Sequence, residues 1–155
     1  MMQVLDILDK LEIEYTIIEH EPVFTCEQAQ FIKTLINGEG CKNLFLRNNK
    51  KQYFMYILPD EKRADLKLLG KQNDLEHLSF GNEKKLWELL KLKRGGVSPF
   101  GIINDEDNTV TLLIDKELKD KLLLFHPNDN TKSLNIRYDD LIKFIEYAEH
   151  KYILV

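Results

Sequence analysis

The chain has 155 residues, 43% hydrophobic and 10% aromatic, with 7 Gly and 4 Pro. That is enough apolar material for one domain with a full core, and it excludes disordered, fibrous and low-complexity classes. With 22 Lys and Arg against 26 Asp and Glu, the net charge is −4, which argues against coating nucleic acid through bulk positive charge, so an RNA partner would have to be gripped locally.

Residues 2–12 place Val4, Leu5, Leu8 and Leu11 at helical spacing and predict a short amphipathic helix. Residues 15–20 are β-branched and aromatic and run toward Pro22, as a strand leaving into an extended loop does. Thr25 followed by Gln28 three positions on predicts a capping box, with the helix continuing through Ala29, Ile32 and Leu35 toward Gly38 and Gly40. Residues 44–46 and 53–58, on either side of a polar stretch, predict a hairpin. Residues 62–94 predict two or three helices broken at Gly70 and Gly81, with Trp87 in a core position. Residues 95–108 read as loop and strand, 110–115 as a strand, 116–121 as a charged helical turn, 122–126 and 133–136 as strands, and 138–148 as a closing helix. The alternation lacks a regular βαβ period, so an α+β fold with a mixed sheet in a single domain spanning residues 1–155 is expected.

Cys26 and Cys41 form no CxxC and have no histidine pair at zinc spacing. No metal site is expected, and the default setting is reduced and cytoplasmic. No apolar run reaches the roughly 18 residues of a membrane span, so no membrane association is expected.

Three segments could carry chemistry. Gly95-Gly96-Val97-Ser98-Pro99-Phe100-Gly101 either aims peptide groups at a ligand or forms a tight turn, and it matches neither GxGxxG nor a Walker loop. His126-Pro127-Asn128-Asp129-Asn130-Thr131 sets a histidine at the mouth of a strand, suited to a ligand or a proton, or to a structural turn. Lys42, entering the run 44–46, either meets a phosphate in a pocket or is a solvated edge charge. Lys91, Lys93 and Arg94 are a phosphate-binding lip or a solvated helix end. Ser98 lacks a GxSxG elbow, which argues against a serine hydrolase.

Four motifs in series resemble the YbaK-like, prolyl-tRNA synthetase-associated editing domain family, in particular its ProX-type branch of alanyl-tRNA(Pro) deacylases. They are Glu19-His20-Glu21-Pro22-Val23-Phe24-Thr25, Lys42-Asn43-Leu44-Phe45-Leu46-Arg47, the Gly95 segment running into Ile102-Ile103-Asn104-Asp105, and Phe125-His126-Pro127 with Asn130-Thr131. The resemblance implies a mixed, mostly antiparallel sheet with packed helices and a pocket for the 3′-terminal aminoacyl-adenosine. It implies that Lys42 holds the phosphate or terminal adenosine, and that Gly95 to Pro99 places substrate and water. It implies that Gly96, Val97, Ser98, Pro99, Phe100, Asn130 and Thr131 bind substrate, with His126, Asn130 and Thr131 lining the aminoacyl end, and that Lys42, Gly95 and His126 are the catalytic residues. It implies a deacylase without cofactor, whose partners are the acceptor end of mischarged tRNA(Pro) and, transiently, prolyl-tRNA synthetase. Asn128, Asp129 and Leu134 depart from the branch pattern, which bears on amino-acid selectivity. An aminoacyl ester is already activated, so positioned water and oxyanion stabilisation suffice, and no triad is required. Two other readings stand beside this one: a non-catalytic aminoacyl-tRNA-binding module, and a deacylase for cysteine or serine.

Overall fold

Local signals build most of the elements that position the site in the computed structural model, which describes residues 2–22, 25–126 and 131–155, apart from the side chains of Met2 and Cys26. Helix α1 (Met2–Lys10) buries Val4 and Leu8, and strand β1 (Thr16–Glu19) follows. Helix α2 (Cys26–Lys33) opens on the expected capping box: the Thr25 side chain accepts from the Gln28 N–H, and the Gln28 side chain accepts from the Thr25 N–H. Such a cap is worth about 1 kcal/mol. The helix stops earlier than the apolar spacing suggests, because Thr34 turns and its hydroxyl donates to the Phe31 carbonyl at 2.6 Å. Leu35 is left exposed.

The hairpin forms from β2 (Glu39–Arg47) and β3 (Tyr53–Pro59), paired from Cys41↔Pro59 to Arg47↔Tyr53. Then come α3 (Leu66–Gln72), a two-residue strand β4 (Ser79–Phe80) and α4 (Glu83–Leu90). Gly70 does not break a helix as expected. It lies within α3 because the Leu75 backbone approaches so closely that a Cβ would collide with its carbonyl, and the Leu75 N–H donates to the Gly70 carbonyl at 2.8 Å. Trp87 is also corrected. Leu86 and Leu90 occupy the buried face of α4, and Trp87, a 100° step round the helix from Leu86, is 49% exposed. In place of the strand expected within 95–108 there is a 3-10 helix, Pro99–Asn104, started by a proline whose missing N–H costs nothing at that position.

Strands β5 (Val110–Ile114), β6 (Leu122–Phe125) and β7 (Lys132–Arg137), helix α5 (Tyr138–Tyr147) and a terminal strand β8 (Tyr152–Leu154) complete the chain, with a short 3-10 turn at Lys116–Leu118. The described strands form one mixed sheet in the order β1-β7-β6-β2-β3-β5-β8, with β4 on β2. Four pairings are antiparallel, and β2–β6, β3–β5 and β5–β8 are parallel.

Helices cover both faces. On β3, Tyr53, Met55 and Ile57 face the main core with α1, α4 and α5, while Phe54, Tyr56 and Leu58 face a second core under α3. All of β3 is buried, as expected of a strand covered on both sides. Each fully buried aliphatic there contributes roughly 1.5–3 kcal/mol. Over the β1–β7–β6 half of the second face lies α2, whose Ile32 packs with Ile36, Leu124 and Ile18.

Candidate active site

The alternation of the strands sets which side chains gather beneath α2. Ile18 and Leu124 face α2, so two residues further along their strands His20 and His126 face the same way. Ser133, opposite Ile18 on the intervening β7, shares that face. Register alone therefore brings together three polar groups from distant parts of the chain.

Their hydrogen bonds assign the protons. The Nδ1 of His20 lies 2.8 Å from the Glu21 carbonyl, an acceptor only, so Nδ1 carries the hydrogen. Its Nε2 then accepts from the Ser133 hydroxyl at 2.7 Å. The Nδ1 of His126 lies 3.0 Å from the Lys132 carbonyl and 3.2 Å from Ser133 Oγ, so Nδ1 carries a hydrogen and donates to both. The two rings meet edge to face at 5.9 Å. The His20 N–H also donates to the Thr131 carbonyl at 2.8 Å, tying the His20 segment to the start of β7. Ser133 has no exposed surface, so it is a strut between two imidazoles and not an accessible nucleophile.

Beside this cluster a cavity of about 350 Å³ is lined by His20, Pro22, Gln28, Phe31 and Ile32, together with the acidic Glu21 and Glu27. Larger hollows of about 490 and 660 Å³ lie against β8 and beside α3, but neither contains a residue from the motifs singled out in the sequence. The smaller cavity is the better candidate because it has the grouped polar chemistry.

Asn43, the neighbour of Lys42, faces the main core and ties β2 to the glycine loop. The Asn43 side-chain N–H donates to the Val97 carbonyl at 3.1 Å, fastening β2 to the Gly95 loop. The other amide atom, Asn43 Oδ1, is buried and has no hydrogen-bond partner among the described residues. Lys42 is half-buried, and its side chain makes no ion pair or hydrogen bond among the described residues. The parallel pairing of β2 with β6 ends at Gly40↔Leu124. Lys42 and His126 each follow two residues later, which places them on the same face of the sheet.

Within the loop, Gly95 takes φ +91° with open space around it, so the backbone angle and not crowding requires glycine. Gly95, Gly96 and Val97 reach the surface, whereas Ser98, Pro99 and Phe100 are buried. Phe100 is in the core, edge to face with Phe125 and Phe144. It anchors the loop, whereas its place in the motif suggests a position beside substrate. Thr131 is half-buried at the cluster, and Asn130 lies outside the described residues. The sequence alone assigns His20, Ser133 and Asn43 no role of their own. Their only signal is the company of His20 with Pro22, and of Asn43 with Lys42, inside the motifs. Cys41 is unsuited to nucleophilic work, because burial pushes its thiol pKa up. Among the described residues no group of three or more His, Cys, Asp or Glu could hold a metal ion, and no helix is long and apolar enough to cross a membrane.

Comparison with known proteins matches this architecture. The model of the aminoacyl-tRNA editing domain matches residues 20–144, a span that includes Lys42, the Gly95 loop and every member of the histidine cluster. The chain is 40% identical over 141 residues to the prolyl-tRNA editing protein ProX of Acetoanaerobium sticklandii, covering 90% of this chain and 86% of that one. It is 29% identical to the prolyl-tRNA synthetase associated domain-containing protein 1 of Danio rerio, covering 97% and 83% respectively. The fold is shared with the crystal structure of a candidate trans-editing enzyme for prolyl tRNA synthetase, at a TM-score of 0.68 and 13% identity, over 90% of this chain and 84% of that one. With residues 20–144 matched and a 40% identical relative covered over most of its length, the chain belongs to the aminoacyl-tRNA editing domain family.

Proposed function

We infer that the protein is an aminoacyl-tRNA deacylase that removes a wrongly attached amino acid, alanine from tRNA(Pro), by water attack on the ester. The observation that carries this reading is the placement of Lys42, a half-buried cation without an anionic partner among the described residues, on the same face of the sheet as His126. A lysine so placed suits a phosphate or the polar terminal adenosine. The His20–Ser133–His126 chain fixes the His126 ring through Nδ1, which would hold the imidazole in one orientation toward the ester. The exposed end of the Gly95 loop would supply main-chain groups for the developing oxyanion. Pro22, Phe31 and Ile32 give the cavity apolar walls, so selection by size fits: alanine is admitted and proline excluded by bulk.

The partner is the acceptor end of charged tRNA, and a cytoplasmic setting fits that substrate. The name of the Danio rerio relative supports transient association with prolyl-tRNA synthetase. Lys42→Ala is expected to lower deacylation of Ala-tRNA(Pro) at least ~100-fold, the usual scale for a lost positioning and charge-stabilising group, with little change in unfolding midpoint. Near-normal turnover by that variant would overturn the role. The same assay at low protein-to-tRNA ratio, run on Ala-, Cys-, Ser- and Pro-tRNA(Pro), separates an editing enzyme from a binding module. Editing predicts many turnovers on alanine and almost none on proline.

A further inference from the structure

Helix α4 and its exit carry a surface that the candidate active site does not use. Trp87, the single tryptophan of the chain, is about half exposed on the outer side of α4. The helix ends at Lys91, in the left-handed region at φ 55° and ψ 35°, with its N–H donating to the Trp87 carbonyl at 3.0 Å. Glycine is the usual residue at such a helix end. Lysine in its place has a geometric result: the chain folds back so that the ammonium groups of Lys91 and Lys93 stand 5.6 and 5.7 Å from the centre of the indole ring. Both distances are within cation–π range.

The charge here opposes that of the molecule. Residues 83–94 contain five cations, Lys84, Lys85, Lys91, Lys93 and Arg94, against Glu83 and Glu88, a local +3 in a chain of net −4. The carboxylates engage Lys85 at 3.2 Å and, loosely, Arg94 at 3.6 Å. Lys91 and Lys93 make no ion pair among the described residues. The patch adjoins the glycine loop: the Gly96 N–H donates to the Lys93 carbonyl at 3.0 Å, and one residue on, the Val97 carbonyl takes the hydrogen bond from Asn43 of β2.

We propose that Trp87, Lys91 and Lys93, with Arg94 beside them, form a second RNA-binding surface that holds the acceptor stem of the substrate next to the Gly95 loop. The two ammonium groups take phosphodiester charges, and a ribose or unpaired base lies against the indole ring, the combination of cationic track and aromatic platform that binds nucleic acid without reading sequence. Local positive charge in an acidic protein favours RNA over an acidic protein partner, because the ring adds a stacking surface that a carboxylate-rich peptide does not need. The proposal rests on the deacylase reading, but its test does not.

The probe is an uncharged RNA hairpin with the acceptor-stem sequence of tRNA(Pro) and a CCA end, titrated by fluorescence anisotropy at several salt concentrations. The companion assay is hydrolysis of the alanyl ester of adenosine, which has no stem and no phosphate. Lys91→Gly combined with Lys93→Gln is expected to weaken hairpin binding at least about ten-fold and to lower the slope of log K against log salt by about two, one for each phosphate no longer neutralised. Trp87→Ala is expected to cost about ten-fold with the slope unchanged. Hydrolysis of the adenosine ester stays at the wild-type rate in both variants. Lys91→Gly alone should not lower the unfolding midpoint, because glycine suits the left-handed position, so weaker binding in that variant is not a folding defect. Hairpin affinity and slope that do not change in these variants overturn the proposal, as does an equal loss on the adenosine ester. A wild-type protein that binds the hairpin through these residues but hydrolyses no ester overturns the deacylase reading and leaves the RNA surface standing.

Discussion

Two pairs of side chains, each built on histidine, sit in opposite parts of the molecule and are wired differently. Beneath α2, His20 and His126 share Ser133, and each ring donates through Nδ1 to a carbonyl. At the far end of the sheet, His150 lies 2.8 Å from the Ala148 carbonyl through Nδ1 and 2.9 Å from Asp105 Oδ2 through Nε2, with both side chains of the pair almost fully buried. Both nitrogens of His150 are engaged, one by the Ala148 carbonyl and the other by the Asp105 carboxyl group. The first arrangement lies beside a cavity, which His20 lines. The second is enclosed and closes the β5–β8 end of the core. The same residue type borders a cavity in one place and serves cohesion in the other, and what separates the two is burial: His20 is half-buried, whereas His150 and Asp105 are almost fully buried.

Breaking the buried pair tests the cohesive half of that comparison. His150→Ala strands the Asp105 carboxylate in the interior, and loss of about 3–5 kcal/mol is expected from urea unfolding, the scale for one partner removed from a buried pair. Deacylation per folded molecule should survive. A loss below about 1 kcal/mol, the scale of an exposed pair, would show that the pair is not structural.

The acid side of the stability curve sharpens the same point. Burial pushes the Asp105 carboxyl pKa up, but the hydrogen bonds from His150 and from the N–H groups of Val110 and Thr109 outweigh it, and the net direction is down. A carboxyl whose pKa is lower folded than unfolded adds stability that is present above its unfolded pKa, about 3.9, and is lost as pH falls through the folded value. The protein should therefore lose stability on acidification below about pH 4. Asp105→Asn should flatten that limb while lowering stability at neutral pH, and an unchanged acid limb in this variant would assign the acid sensitivity to other carboxylates.

The smallest effect is expected at the strut. Ser133→Ala removes the donor to His20 Nε2 and one of the two acceptors for His126, but His126 keeps the Lys132 carbonyl. A fall of about ten-fold in kcat, little change in KM, and a stability loss near about 1 kcal/mol are expected. Unfolding as severe as that of His150→Ala would erase the distinction between the two pairs.

Much of the fold and part of the site are legible in the chain. Thr25 and Gln28 announce the start of α2 because a capping box is an interaction across three residues. The hairpin, the closing helix and the order of Lys42, the Gly95 loop and His126 are likewise short-range patterns. What is not legible is long-range or marginal. Strand β4 is two residues long, and β8 has no turn signal and exists only through parallel pairing with β5, Leu112↔Tyr152 to Ile114↔Leu154. Trp87 reads as core in the sequence because its helix has more apolar residues than its buried face can take.

The sequence by itself determined a single mixed-sheet domain, the caps and turns that start and stop its elements, and the editing-family motifs, because each depends on residues a few positions apart. Only the tertiary structure decided that His20 meets Ser133 across 113 positions, that His150 is consumed by Asp105, that Phe100 is core, and that Trp87 stands outside under two lysines. The physical reason is register. A shift of one residue in a strand would turn each of its side chains to the opposite face, and that choice is fixed by pairing and packing over the whole sheet.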